Sequence, residues 1–375
     1  MRDLLVTTHT PVLRSGQALR TYGVARALAT RRGLDLLYVR FGAREPDTTF
    51  RAIRDVRLCE VVPTRGARRA FAHAAARLTG VPADFARGIS SELAEAAARL
   101  AAEGDRGLVI ADGPIAAAAL RGLARRRPVI YNAHNLESGF RHELGGGARE
   151  RERMRAFERG LLERASESWM ASEADVRAAR ELCPGARLRY VPNVVDVAAI
   201  APVTPPISAR RAIFVASFAY EPNVRALRFL LEQVFPRVWA ELPDARLTLV
   251  GAGLARPPSG DPRVQALGFV EDLRAVYASA SCAVVPLLGG GGSPLKFIEA
   301  LAYGLPVIAT PRAASGLEVR DGEHCLIAEG AERFATALAL VLREGATQLG
   351  RRGRELVAER YSIEALGRLL AQSRD

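Results

Sequence analysis

The sequence predicts an α/β protein made of two doubly wound, Rossmann-like domains that face a central cleft. Three observations carry this. Short apolar, strand-like runs alternate with helical segments along the whole chain, the pattern of parallel sheets covered on both faces. The alternation breaks once, at APVTPPISARR (Ala201 to Arg211), whose three prolines and lack of apolar period mark a linker, and then restarts. The length, 375 residues, suits two full cores. The expected division is 1–203, 204–361 and a closing helix over 362–375, which is free to return to the first domain.

The elements follow in order. Asp3 to Thr8 reads as a short buried strand, a loop THTPVLRSGQALR follows, and Gly16 precedes a helix near Leu19 to Thr30. Leu34 to Val39 and Arg57 to Val62 are the next strands. Residues 65–79 form a basic amphipathic helix that could touch a membrane surface or simply present a solvated face. Ser91 reads as the N-cap of a helix over Glu92 to Ala102. Gly107 to Asp112 and Pro128 to Tyr131 are strands. One long charged helix is expected from Ser138 to Ala165. Strands at Ser168 to Ala171 and Arg187 to Val191 complete the first half. In the second half, strands are expected at Ala212 to Ala216, Arg246 to Val250, Cys282 to Pro286, Pro306 to Thr310 and Cys325 to Ala328. A helix runs from Pro222-Asn223 to Glu241, and the last begins at Ser362.

Composition narrows the function. Apolar residues make up 49% and charged residues 25%, as in globular proteins. No apolar run reaches the length of a membrane span, and the N-terminus lacks a signal-peptide pattern. Cys59, Cys183, Cys282 and Cys325 show no metal spacing, which fits a reducing, cytoplasmic compartment. The net charge of +12 attracts phosphates, acidic acceptors or the anionic inner face of a membrane. Nucleic acid is a poor partner, because aromatics are not interleaved with the basic runs.

The second half centres on CAVVPLLGGGGSPLKFIEALAYGLPVIAT, residues 282–310. A strand leads into Gly289 to Gly292, Ser293 and Pro294 read as N-cap and first helical residue, and Gly304 closes the helix. Free N–H groups at such a helix start favour a phosphate. Lys296, on this helix, is the single lysine among 53 basic residues. Its survival suggests a compact ammonium in a space too tight for arginine. Glu299 lies on the same face, where it could serve a ligand or pair with Lys296. By contrast, VGAG at Val250 to Gly253 fails as a dinucleotide fingerprint, since Arg256 holds the third glycine position and two prolines follow.

Several segments in order resemble family 4 of the glycosyltransferases, retaining enzymes of GT-B fold. They are TPVLRSGQALRTYGVARALA, VIYNAHNLES, FVASFAYEPNVRALRFL, GFV at Gly268 to Val270, VEDLRAVYASASCAVVPL with the glycine stretch after it, and YSIEALGRLL. The resemblance implies an acceptor-binding first domain and a donor-binding second one. It implies that Lys296, Pro294 and the backbone amides of Gly290, Gly291, Gly292 and Ser293 bind the diphosphate and sugar. Glu299 would accept from the ribose hydroxyls, Phe269 and Val270 would line the base pocket, and Gly16 would close over the diphosphate. His134 would contact the donor sugar, and Glu137 and Arg141 would meet the acceptor.

Two departures stand out. The first of the family's two glutamates falls at Gly291, and the usual arginine and lysine after the first donor-domain strand are absent. Ser217 and Asn223, in that segment, could supply neutral donors, or Asn223 could be a simple N-cap. The expected activity is metal-independent transfer of a sugar from a nucleoside-diphosphate sugar to a hydroxyl of a polysaccharide, glycolipid or natural product. The nucleotide sugar is a co-substrate and no cofactor is expected. Two alternatives stay open: a sugar-nucleotide 2-epimerase of the same fold, and a non-catalytic nucleotide-sugar-binding subunit.

Overall fold

The apolar runs of the first half pair side by side as one parallel sheet. The computed structural model describes residues 1–13, 15–64, 67–140, 147–254, 256–290 and 294–372. Its first seven strands are β1 (Arg2–Thr7), β2 (Gly33–Val39), β3 (Val56–Val61), β4 (Arg106–Asp112), β5 (Ile130–Asn132), β6 (Glu167–Met170) and β7 (Leu188–Tyr190). Their order across the sheet is β3-β2-β1-β4-β5-β6-β7. Chain connections diverge between β1 and β4, so the strand ends there border a switch-point crevice. The register aligns Thr7 with Asp112 and Asp112 with Asn132. Three polar side chains therefore share one level at the sheet's C-terminal edge.

The second sheet repeats this plan. It contains β8 (Arg211–Val215), β9 (Arg246–Val250), β10 (Val264–Ala266), β11 (Cys282–Val285), β12 (Val307–Ala309) and β13 (Leu326–Ile327). The order is β10-β9-β8-β11-β12-β13, with the switch point between β8 and β11. Its core is apolar on both faces, with Phe214, Phe235 and Phe334 on one side and Phe297, Tyr277 and Leu301 on the other.

Contacts divide the chain into two units, Met1–Asn193 with Ile363–Asp375, and Val194–Ser362. The helix Ile363–Ala371 belongs to the first unit: Arg31 donates to Leu370 O at 2.6 Å, and Arg189 donates to Leu369 O. The proline-rich segment is bound to the second unit, where the Val203 N–H donates to Tyr303 O at 2.8 Å.

Several local expectations change. The first helix is Gly16–Ala29, because the Ser15 side chain caps it by accepting from Ala18 N–H; Gly16 is thus helical and not part of a loop. Ser90, not Ser91, caps the Ser91–Ala102 helix through Leu93 N–H. The single helix expected from Ser138 to Ala165 is two, Glu137–Phe140 and Ala148–Arg164, with Gly147 extended at the second start. The run of three glycines before Ala148 was the signal for that break. Pro294 is the N-cap of the Leu295–Ala302 helix, so its first helical residue is Leu295. The helix after Tyr220 reaches Glu241, with a π-turn over Leu230–Val234. Pro236 follows at once and lacks the N–H that an α-helical ladder needs there.

The glycines of VGAG have a packing role. Gly251 has φ +136°, and a Cβ there would lie 1.8 Å from Ala216 O. A Cβ on Gly253 would lie 2.8 Å from Ala219 N. These positions let the segment after β8 cross the end of β9, where Phe218 N–H donates to Ala252 O at 2.7 Å.

Gly251→Ala should therefore destabilise the protein by about 1–3 kcal/mol in urea unfolding, the cost of backbone strain and overpacking. Gly122→Ala, whose new Cβ meets nothing within 4 Å, should be neutral or slightly stabilising. Equal midpoints for the two variants would contradict the close crossing.

Candidate functional site

Each sheet carries a polar cluster at its switch point. In the first unit the cluster is assembled from the ends of β1, β4 and β5 and from the Gly16–Ala29 helix. Asp112 is fully buried at its centre. Its Oδ1 accepts from Asn132 Nδ2 at 2.7 Å and lies 2.9 Å from His134 Nε2. The Thr21 hydroxyl donates to Oδ2 at 2.6 Å. Burial alone would raise the Asp112 carboxyl, but the His134 and His9 imidazoles and the Thr21 hydroxyl hold it well below the carboxylate range. His9 bridges Thr7 Oγ1 at 2.9 Å and Thr21 Oγ1 at 3.3 Å, and burial pushes its pKa down.

Arg20 locks this arrangement from below. Its guanidinium donates twice to Asn132 Oδ1, at 3.1 and 2.7 Å, and also to Val191 O at 2.9 Å and Asn193 Oδ1 at 3.0 Å. Burial lowers Arg20 to about 10 although Asp112 is near.

Of the first-unit residues singled out by sequence, His134 is in this cluster. Gly16 begins the helix that carries Arg20 and Thr21. Glu137 starts the short Glu137–Phe140 helix, and its backbone N–H donates to Glu158 Oε1 at 2.6 Å. Glu158 also accepts from Ser138 N–H, and burial pushes it up to about 7 against those bonds. Arg141 lies outside the described residues. Sequence reasoning missed Asp112, Thr21, His9, Arg20 and Asn132 as one set. The only local signals were Asp112-Gly113-Pro114 and Asn132-Ala133-His134 at strand ends.

In the second unit the Leu295–Ala302 helix follows β11, and its Phe297 and Ile298 are fully buried. This anchors a helix that carries two ionisable side chains at its start. Lys296 Nζ donates to Asn223 Oδ1 at 2.5 Å and lies 5.5 Å from the Phe214 ring centroid. Asn223 in turn donates from Nδ2 to Ser217 O at 2.7 Å. Asn223 is therefore no N-cap; Tyr220 holds that position, and Asn223 orients the lysine. Tyr277 OH donates to Glu299 Oε2 at 3.3 Å, and the Tyr277 and Tyr303 rings stack at 4.4 Å.

Lys296 and Glu299 do not pair with each other among the described residues, which removes the surface-pair alternative. Both are half-buried. Burial pushes the Lys296 ammonium down to about 7 and the Glu299 carboxyl up to about 7, the latter despite Tyr277. A shielded ammonium whose partner is a neutral amide is an incomplete cation site, one that an anion would complete.

The remaining positions surround this pair unevenly. A Cβ on Gly290 would lie 3.3 Å from Pro222 Cβ and 3.4 Å from Tyr220 OH, so the glycine stretch begins against the Glu221–Phe229 helix. Arg312 donates to Gly290 O. Ser217 is exposed, with its carbonyl used by Asn223. Phe269 is 52% exposed, while Val270 packs on the cluster that contains Phe297 and Tyr277. Gly291, Gly292 and Ser293 lie outside the described residues.

Glu299→Gln should raise thermal stability at neutral pH, with a definite pH signature. Below about pH 4.5, the ordinary carboxyl value, Glu299 is protonated folded and unfolded, and the variants should match. Between about 4.5 and 7 the unfolded carboxyl ionises first, so wild-type stability falls relative to the variant. Above about 7 the difference should be constant. A Tm difference independent of pH would contradict a raised Glu299 pKa.

The profile of a family described as "Glycosyl transferases group 1" matches residues 209–344, which include Asn223, Tyr277, Lys296 and Glu299. A phosphatidyl-myo-inositol mannosyltransferase of Mycolicibacterium smegmatis is 29% identical over 173 residues, 43% of this chain and 44% of that protein. An uncharacterised 44.6 kDa protein in the cps region of Klebsiella pneumoniae is 27% identical over 136 residues, 33% of this chain and 34% of that protein. These matches thus span less than half the length of either relative. Among solved structures, sucrose-phosphate synthase from Thermosynechococcus elongatus aligns with TM-score 0.75 and 19% identity over 99% of this chain and 97% of its own. Anabaena HepE in complex with UDP and glucose aligns with TM-score 0.71 and 14% identity over 100% and 99%. No helix among the described residues is long and apolar enough to cross a membrane. The two parallel sheets and these alignments give the chain the GT-B glycosyltransferase fold.

Proposed function

We propose that the protein is a retaining, metal-independent glycosyltransferase that moves a sugar from a nucleoside-diphosphate sugar to a hydroxyl acceptor. The observation that carries this reading is Lys296, half-buried with the Asn223 amide oxygen as its one hydrogen-bond partner among the described residues, at the start of a helix that follows a glycine stretch. The second unit binds the donor. Lys296, Pro294 and the amides of Gly290 to Ser293 receive the diphosphate and sugar, Glu299 takes the ribose hydroxyls, and Phe269 and Val270 flank the base. Ser217 and Asn223 stand where the family places cations, so Lys296 carries the charge alone. In the first unit His134 contacts the donor sugar, Gly16 lies near the diphosphate, and Glu137 and Arg141 serve the acceptor. The bond from the anomeric carbon to the diphosphate breaks, the acceptor oxygen bonds that carbon, and the acceptor proton passes to the departing diphosphate. The group 1 match and the UDP-sugar complexes of HepE support this reading. The match to a phospholipid mannosyltransferase keeps a lipid acceptor among the candidates.

The same reading includes peripheral contact with anionic lipid. The Ala67–Leu78 helix exposes Phe71 by 77% and Leu78 by 90%, and residues 65–79 contain four arginines and no acidic residue. The protein should cosediment with phosphatidylglycerol vesicles and not with phosphatidylcholine vesicles, and Phe71→Ser with Leu78→Ser should abolish this. Binding that survives both changes would place the contact elsewhere.

Lys296 provides the test of the reaction. Lys296→Ala should cut kcat roughly a hundredfold, with a smaller effect on KM, because the ammonium acts on charge that grows as the bond breaks. Lys296→Arg should recover little, since the planar guanidinium needs more room than the site beside Asn223 and Phe214 offers. Product masses should show free nucleoside diphosphate and a heavier acceptor, unchanged by chelator. A strict metal requirement, an isomerised nucleotide sugar, or a fully active Arg variant would overturn the reading.

A further inference from the structure

Glu158 is a carboxyl group that the proposed reaction does not use, and it is only 1% exposed. A carboxylate so deep must be held by donors or take up a proton. Both of its oxygens are engaged. Oε1 accepts from Glu137 N–H at 2.6 Å and Oε2 from Ser138 N–H at 3.1 Å, and the Ser138 hydroxyl bonds it as well.

These partners share one place in the fold. Glu137 and Ser138 open the four-residue Glu137–Phe140 helix, which follows β5 after Ala133 to Leu136. The residue before that helix, Leu136, has no side-chain acceptor, so it cannot cap the first N–H groups. Glu158 caps them instead from the Ala148–Arg164 helix, 21 and 20 residues further on. Its own helix is anchored by Met154, Phe157, Leu161 and Leu162, buried in one apolar cluster. A helix of four residues cannot hold itself. The carboxyl group is thus the fixed half of a clasp, and the short helix is the half that depends on it.

The surroundings set which form of the carboxyl the clasp prefers. Glu137 adds a like charge from the short helix. β5 presents Tyr131, a phenol kept neutral by burial, whose hydroxyl has no hydrogen-bond partner among the described residues. Asp175 of the Glu173–Leu182 helix and Arg20 of the Gly16–Ala29 helix act on that same phenol. The Pro114–Ala119 helix has no ionisable side chain. Arg121 lies over the Phe157 ring, and Asp84, beside the Phe85 that packs on Phe157, is exposed. Burial outweighs the hydrogen bonds and holds the Glu158 carboxyl at about 7. Lifting the short helix would admit water and return the group to its ordinary value, 4.5.

We propose that Glu158 is a positioning residue whose carboxyl group clasps the backbone of Glu137 and Ser138, and that the clasp loosens as the carboxyl loses its proton. That the clasped segment serves an acceptor rests on the function proposed above; the clasp does not.

Amide hydrogen exchange in the full-length protein tests this without any ligand. Rates at Glu137 and Ser138, corrected for the intrinsic effect of pH, report the local opening equilibrium. Below about pH 4.5 the carboxyl is protonated whether the segment is closed or open, so opening is constant. Between about 4.5 and 7 only the open form ionises, so opening grows with pH, and above about 7 it levels off. From pH 5 to 8 the protection of these two amides should fall on the order of fiftyfold. Both should exchange faster than Ala133 N–H, which donates to Trp169 O at 2.9 Å, the mark of local and not global opening. Glu158→Gln should remove the pH dependence. Wild-type protection that is flat or rises with pH, or that tracks Ala133, overturns the proposal even if the variant does not fold. A fall that persists in Glu158→Gln overturns it too, by giving the proton to another group. A failure of sugar transfer would leave these rates, and with them the clasp, untouched.

Discussion

The second unit depends on holding an ammonium and a carboxyl partly out of water, one turn apart, without letting them neutralise each other. Lys296 turns to Asn223 and Glu299 turns to Tyr277. Each arrangement is electrostatically poor, because a neutral partner offsets only part of the desolvation of a charge. The surrounding apolar packing sustains it. Phe297, Ile298 and Leu301 bury the opposite face of the helix, and Tyr277 and Tyr303 stack beneath Glu299. The cluster thus stores in its ground state an affinity for something that is anionic near Lys296 and rich in hydroxyls near Glu299. Stability given up at a binding site is a common trade.

The polar cluster of the first unit follows a different rule, since Asp112 and Arg20 are both hydrogen-bonded on several sides. Asp112 receives donors on every side, and Arg20 uses its guanidinium on acceptors from β5 and the segment after β7. Its helix, capped by Ser15, is the next element after β1 and brings Arg20 and Thr21 to the strand ends. Within this cluster, His134 Nδ1 has no hydrogen-bond partner among the described residues.

Much of the fold was legible locally. Strand ends, the glycine stretch and the lone lysine are features of contiguous sequence, and each strand expected in the first half forms within two residues of its reading. β10 escaped notice because VQA is three residues long with a polar centre. The helix over 138–165 was read too long because charge pattern outweighed its glycines. The Asp112 network was illegible for another reason: Arg20 meets Asn132 across 112 residues and Val191 across 171. No spacing rule reaches that far, and only the parallel register brings those residues level. Asn223 was seen with its role open between neutral donor and N-cap, because its partner lysine lies 73 residues on.

Gly291 and the Ser217 to Asn223 segment lack the carboxylate and cations of the resembling family, which concentrates the account on Lys296. If burial holds its pKa near 7, a diphosphate placed beside it must restore the proton. Titration calorimetry of nucleoside diphosphate binding at pH 8, in buffers of different ionisation enthalpy, measures that proton directly. Glu299, with its pKa also about 7, is then mostly ionised and contributes little. The account predicts net uptake approaching one proton per nucleotide bound, and its loss in Lys296→Met. Binding at pH 8 with no proton uptake, or with release, would contradict it.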